Sequence, residues 1–490
     1  MSGGWGQCSF TLSAAEDNES QYRCTQPSMS DTGLCVWHCP ESERPTDGFP
    51  DTVPPDTKLR GAELANATLR GVEFSAGVDL SDSTFAGATI RECDLARTEL
   101  DGCDFTDASV VASTFQQAEL SEARLDGFTA IDSSFEDAVL NQTVADAGVE
   151  FRNSNLDDVV FTRATVDSLT LDDTVATGID LTETICGAIR ATDTDLSDAI
   201  LITTDVGDIR VEGCRVRGAV IRRTALDTGS FAMCDLRDAT LNGTSAVSVE
   251  FDATRLSGAR CRECTFNDAS FRGADLSGTD LTDSDLTGSS LKNADLSGAV
   301  LDGATLQESD LSGVRLQDAS INRSTRFPSL TELEQRGLEV PEMLGLYRTL
   351  VGLLEDEDLT DAAFRRRSEY YTLQRRQAQL DGQYGRYFGL LLNGVVTGHG
   401  QRPARVLTTS IVVVAYFAVV YTTIGIGVVP GETDLIGALV FSLQAFSPGV
   451  TTSVVEATRI GTMLVTIEST IGLVLLGVFA VLVAQRLQTL

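Results

Sequence analysis

Four cysteines and a histidine stand before residue 40: Cys8, Cys24, Cys35 and Cys39, in "QCSF", "YRCTQ" and "GLCVWHCP", with His38 between the last two. Thiolate sulfur and imidazole nitrogen are the donors tetrahedral zinc prefers, and a short segment with little core gains folding free energy from such a site. The spacing C-x15-C-x10-C-x3-C is not that of a standard finger, so buried thiols in a structural cap are the alternative. With metal bound, Cys24, Cys35 and Cys39 are the expected ligands, and Cys8 or His38 completes the set. A second chemical oddity lies near the other end, where Glu468 is the one charge in "IGTMLVTIESTIGLVLLGVFAVLVAQ", residues 460–485. A carboxyl inside an apolar span costs about 2.5–3.5 kcal/mol on insertion scales, so it normally serves a cavity or finds a partner. Glu468 therefore has two readings: one member of an acidic ring lining a pore, or a hydrogen bond to a helix behind it. Catalysis has no such support. The histidines are His38 and His399 alone, no phosphate-binding loop is present, and the many Asp and Ser residues recur by structural rule; the chain is expected not to be an enzyme.

The elements that hold these residues announce themselves by period. In "NADLSGAVLDGATLQESDLSG" (293–313), Leu296, Leu301, Leu306 and Leu311 recur every five residues, each with a small residue two places earlier. Five fits neither the 3.6-residue helix nor the two-residue alternation of a flat strand. The pattern is consistent if the chain bends once per repeat, so that positions i−2 and i always point inward, and such a chain winds as a β-solenoid. Three registers follow one another: Leu59 to Phe74, Leu80 to Leu140, and Phe151 to Ile321. The two shifts, near Gly77 and across 141–150, each insert one residue, as a bulge or a loosened corner does. Cys93, Cys103, Cys186, Cys214, Cys234, Cys261 and Cys264 all fall on inward positions, where cysteine serves as a small hydrophobe.

Composition narrows the partners. Net charge is −34, and Lys58 and Lys292 are the only lysines. An outer surface so rich in Asp resembles that of halophilic proteins, where salt screens self-repulsion, and it argues against direct nucleic-acid binding. No basic-then-apolar leader opens the chain, so the soluble part is expected in the cytoplasm with reduced thiols.

Beyond Phe327 the five-residue period gives way to helical spacing over 328–403. Residues 406–430 carry no charge, and 460–485 carry only Glu468, so both are long and apolar enough to span a bilayer. Arg402 and Arg405 before the first and Arg486 after the second place both termini on the cytoplasmic side. Between them, "LIGALVFSLQAF" is too short to cross, and the following Ser447, Pro448 and Gly449 end helices; a re-entrant segment over 434–450 is expected.

Two resemblances rest on these motifs. "ADLSG", at 274–278 and 294–298, is similar to the pentapeptide-repeat motif, roughly A(D/N)LXX. It implies, over about 59–327, a right-handed, quadrilateral β-helix with four repeats per coil, about thirteen coils and a length of about 60 Å. Some members of that family mimic duplex DNA and bind proteins. The 404–490 segment resembles the two-transmembrane potassium-channel module, with "ALVFSLQAF" at the pore helix and Gly472 at the inner-helix hinge; "GHGQRPARVL" and "AAFRRRSEYY" are similar to the linker of channels fused to pentapeptide repeats. That implies a homotetramer in the cell membrane passing inorganic cations, with Gln444, Phe446, Ser447, Pro448 and Gly449 at the filter. The chain departs from the selectivity signature there, having "FSPGVTT", which leaves the permeant ion open.

The expected organisation is thus mainly β: a Cys-containing cap with a candidate zinc site (1–57), the β-helix (58–327), a helical linker (328–403) and a two-helix pore domain (404–490). The expected function is a cation channel whose cytoplasmic β-helix senses or docks a protein partner. The alternative is a non-conducting, membrane-anchored acidic scaffold.

Overall fold

Within most repeats the sequence dictates one corner. The large residue at i and the small one at i−2 are buried, residue i−1 carries the rung, and residue i+2 turns the chain with positive φ. Asn293 (φ 59°) and Gly298 (φ 67°) are examples. Aspartate at i−1 assists: the Oδ1 of Asp295 accepts the Ser297 amide at 3.0 Å, and Asp275, Asp280, Asp285 and Asp310 do the same two residues on. That is the physical content of the "DLS" and "DLT" words, because a side-chain acceptor closes the turn that the backbone alone leaves open. Threonine at the buried i−2 site stays satisfied by donating to a carbonyl of the preceding coil, as Thr279 does to Leu256 (2.9 Å) and Thr254 to Phe231 (2.8 Å). Cysteine there does the same more weakly, Cys264 Sγ donating to the Leu241 carbonyl. All seven repeat cysteines are buried.

The computed structural model describes residues 7–12, 22–29, 33–44, 49–398, 402–424, 435–447 and 459–488. They form two units, Met1–Leu338 and Glu339–Leu490.

The first unit is a parallel β-solenoid. One face can be followed from Lys58 through Asp79, Glu99, Glu119, Val139, Val160, Asp180, Ile200, Val220, Thr240, Arg260, Asp280 and Val300 to Ser320, thirteen successive parallel pairings. Each step is 20 residues except Lys58–Asp79 and Val139–Val160, which are 21, so the two insertions fall where the phase of the sequence shifts. A third insertion, which the sequence reading did not separate, makes Thr305–Arg326 a 21-residue step; the Asn322–Thr325 turn absorbs it. Over Thr165–Asp172, Ile185–Thr192 and Asp205–Glu212 one corner opens and two faces run on as a single strand. Gly187 fits that corner because a Cβ there would lie 2.6 Å from the Asp167 carbonyl oxygen. Inside, phenylalanines stack in columns: Phe231, Phe251 and Phe271 lie in consecutive coils with near-parallel rings 5.4 and 4.9 Å apart.

Both open ends are covered. At the C-terminal end, α1 (Leu330–Gln335) is started by a Ser329–Glu332 capping box and buries Leu333. At the other end, an N-terminal segment supplies the partners the first coil lacks.

The second unit is helical. α2 (Val340–Asp356) packs on α3 (Thr360–Leu380), and the arginine-rich face of α3 pairs with acidic neighbours: Arg367 with Glu355, Arg366 with Glu369. Then follow α4 (Tyr384–Thr397), α5 (Pro403–Ile424), α6 (Leu435–Phe446) and α7 (Arg459–Gln488).

Candidate metal centre and membrane helices

A two-stranded antiparallel ribbon, Thr11–Leu12 against Tyr22–Arg23, brings Cys8 and Cys24 side by side at the start of the chain. The Cys8 amide donates to Gln26 and that of Cys24 to Phe10, which fixes both thiols. Cys35 and His38 come from one turn closed by the His38 amide donating to the Cys35 carbonyl. The four ligand atoms of Cys8, Cys24, Cys35 and His38 lie within 4.8 Å of one another, and all four residues are buried. Zinc–sulfur bonds of about 2.3 Å at tetrahedral angles put sulfur atoms about 3.8 Å apart and a sulfur–nitrogen edge at about 3.5 Å. The Cys24–Cys35 separation is 3.8 Å, and Nδ1 of His38 lies 3.1 Å from Cys35 Sγ and 3.9 Å from Cys8 Sγ. The residues fit a tetrahedral ion.

Their surroundings act on the thiols in opposite senses, and burial raises that of Cys8 above its ordinary value. Backbone amides of Cys35 and Gln26 donate to the sulfurs of Cys8 and Cys24. A bond donated by Cys35 pulls the Cys24 thiol below its ordinary value, and the same pairing pushes Cys35 up to about 12. Nε2 of His38 donates to the Arg60 carbonyl at 3.1 Å, which leaves the Nδ1 lone pair toward the sulfurs, the tautomer a ligand needs. Phe10 stacks on the ring at 3.9 Å. Cys39 is not in the group; its thiol turns to the Val36 carbonyl, so of the three expected ligands Cys24 and Cys35 are joined by both Cys8 and His38.

The same segment closes the solenoid. Arg60, Glu63 and Ala65 sit on the first coil, with no earlier coil to pair with. The Glu63 amide donates to Trp37, His38 donates to Arg60, and the Arg44 guanidinium donates to the carbonyls of Glu63 and Ala65. The candidate ligand His38 is therefore also a cap.

In the helical unit, α5 is 22 residues and about 33 Å long, and α5 and α7 are each long and apolar enough to cross a membrane. α6, 12 residues and about 18 Å, is not. It packs against both longer helices through Ala438, Phe441 and Ala445, which meet Phe417, Ala418 and Tyr421 of α5 and Val465 of α7. Along α7 the buried residues Val465, Glu468, Gly472, Leu475 and Leu482 form one helical stripe. Glu468 is fully buried and turned into its own chain: Tyr421 of α5 donates to Oε2 at 2.6 Å, and Ser442 of α6 touches Oε1. Ser469 donates to the Ala445 carbonyl at 2.7 Å. A Cβ on Gly472 would lie 2.1 Å from the Phe446 carbonyl oxygen, so this glycine serves close approach of α7 to the end of α6. Of the expected filter residues, Phe446 is buried against α7, Gln444 and Ser447 are exposed, and Pro448 and Gly449 lie outside the described residues, as do 425–430 of the first expected span. Tyr421 and Ser442 were missed in sequence; the signal for both was a hydroxyl inside an apolar run.

The coil geometry defines a parallel β-solenoid of 20-residue turns. Residues 79–117 and 280–323 match the family model for pentapeptide repeats (8 copies), and 224–301 match that for a pentapeptide repeat region. A pentapeptide repeat protein from Nostoc Pcc 7120 is 36% identical over 22% of this chain and 83% of its own, with a TM-score of 0.14. QnrB1, a plasmid-mediated fluoroquinolone resistance protein, is 19% identical over 51% of this chain and 97% of its own, with a TM-score of 0.23. Rfr23, from the cyanobacterium Cyanothece 51142, is 20% identical over 24% of this chain and 90% of its own, with a TM-score of 0.21. No curated protein matches. Over its coils the chain is a pentapeptide-repeat protein, and the matched family-model residues stop at 323, short of the helical unit.

Proposed function

We propose that the helical unit is a membrane-embedded, pore-type module for inorganic cations, assembled from four copies, and that the acidic β-solenoid is its cytoplasmic docking or sensing domain. One observation carries this reading: α6, apolar and too short to cross, is fastened between two span-length helices by buried contacts from both. A linker between two simple anchors has no need of such a helix. Outside these contacts the unit presents apolar side chains, among them Ile411, Val412 and Tyr416 on α5, Leu435, Ile436 and Leu439 on α6, and Leu473 and Val474 on α7. Lipid and neighbouring copies are the surroundings such faces require. The exposed stripe Tyr384, Phe388, Leu392 and Val395 supports a position for α4 at the same boundary. Reconstitution of the full chain in liposomes tests this: cation flux from a four-copy assembly is expected. A single-copy protein that passes neither potassium nor sodium would reduce the module to an anchor for an acidic scaffold.

The N-terminal cluster favours a second, separate role. Three thiols and an imidazole at tetrahedral spacing, with the histidine tautomer set by Arg60, support a structural zinc ion held by Cys8, Cys24, Cys35 and His38. Metal analysis of the purified chain should give one zinc per copy, lost in Cys24→Ser and kept in Cys39→Ser.

A further inference from the structure

The carboxyl of Glu468 is fully buried beside the apolar cluster that Tyr421 shares with Phe417, Ala418, Phe441 and Val465, and its polar partners among the described residues are two hydroxyls, neither of which carries positive charge. Counting protons decides its state. The Ser442 hydroxyl has one proton and touches two oxygens, the Val414 carbonyl at 2.8 Å and Oε1 of Glu468. A carbonyl oxygen only accepts, and the Val414 contact has the length of an ordinary O–H···O bond, so we place the proton of Ser442 there. Contact with Oε1 is then a hydrogen bond only if Oε1 itself donates. Oε2 is the carbonyl end, and it accepts from Tyr421.

We infer that Glu468 is a neutral, protonated carboxylic acid, that Oε1–H donates to Ser442 Oγ while Oε2 accepts from Tyr421, and that this chain of hydrogen bonds fastens α6 between α5 and α7. Every polar atom in the chain is then satisfied: Tyr421 to Oε2, Oε1–H to Ser442, Ser442 to Val414. No charge remains to be desolvated, and an ionised carboxylate in this apolar cluster would carry that cost without a cation among the described residues to offset it. Glu468 is thus a positioning residue for α6 and contributes no charge to a pore. The inference needs only contacts within one chain and stands whether or not the assembled protein conducts. It also makes glutamine the nearest replacement, since an amide puts an acceptor oxygen and an N–H donor in the same places, with one further N–H left over.

Infrared spectroscopy of the full-length protein in lipid at neutral pH tests the proton directly. The difference spectrum between wild type and Glu468→Gln should show the carbonyl stretch of a protonated carboxylic acid in the wild type. Tyr421→Phe, which removes the bond to Oε2, should move that stretch to higher frequency. A difference confined to carboxylate bands, or a band indifferent to Tyr421, would overturn the assignment. The fastening is read separately by thermal melting: Glu468→Ala should lower the melting temperature at least three times as far as Glu468→Gln. Equal losses in the two variants would refute the hydrogen-bonded latch, because only glutamine can rebuild it.

Discussion

Chelating zinc should loosen the first coil of the solenoid and leave the later coils as they were. The link is short: the ion would hold Nδ1 of His38, whose Nε2 donates to Arg60, and the neighbouring Trp37 carbonyl receives the Glu63 amide. Exchange of the Glu63 proton requires the cap to lift. A ligand bound only by the closed cap stabilises it by RT ln(1 + [L]/Kd), which is about 2.7 kcal/mol when free zinc exceeds Kd a hundredfold. At 1.36 kcal/mol per decade, the Glu63 amide should then exchange about 100-fold faster once the metal is removed. The Asp280 amide, bonded to Ala259 deep in the stack, should not change, because each coil is stabilised chiefly by its neighbours. Hydrogen exchange on the full-length protein, with and without chelator, measures both. His38→Ala should show the fast first coil without chelator. Unchanged protection at Glu63 after zinc has left would refute the coupling of metal to cap, and equal loss at Asp280 would show that the chelator acts on the whole solenoid.

Three further outcomes follow from the same geometry. Phe251→Ala removes the middle ring of the Phe231–Phe251–Phe271 column and should cost about 3–5 kcal/mol, read as faster exchange in the flanking coils while the first coil keeps its protection. Acid should weaken the solenoid only below about pH 4: the Arg237 guanidinium holds Asp235, and hydrogen bonds from Ser297 hold Asp295, below the usual carboxylate value. Groups shifted down contribute fully above their unfolded values and lose that contribution as pH falls through the folded ones; denaturant melts at about 1 M salt, where self-repulsion is screened, should show a plateau above that window. Gly472→Val places bulk against the Phe446 carbonyl and should abolish cation flux by displacing α6; flux at the wild-type level would mean that α6 does not shape the pathway.

The solenoid was legible because its rule is local and repeated. Each coil tests the same five positions again, so one-residue slips at Gly77 and within 141–150 appear as breaks in phase before any coordinate is known. The third slip, before Arg326, stayed hidden because only Phe327 follows it, and one residue does not establish a phase. The candidate metal centre was half legible. Donor types and their confinement to one segment gave the cluster, but choosing four from five depended on which thiol the turn after Cys35 points inward, and that turn sends Cys39 to the Val36 carbonyl.

The helical unit shows where such reading stops. The sequence places Glu468 within a span but is silent on which side of α7 it faces, because an apolar span has no polar face to break the symmetry. A ring of acids and a buried latch predict the same residue at the same depth. What separates them are Tyr421, 47 residues earlier, and Ser442, 26 residues earlier, each unremarked as a hydroxyl in an apolar run. Gly472, one turn beyond Glu468, faces the same way and is pressed on the end of α6. A residue that must swing into a pore cannot share a stripe with one that must lie flush against a neighbouring helix. The glycine therefore constrains the glutamate: close packing at Gly472 turns Glu468 toward α6 in every rotation of α7 that preserves the contact.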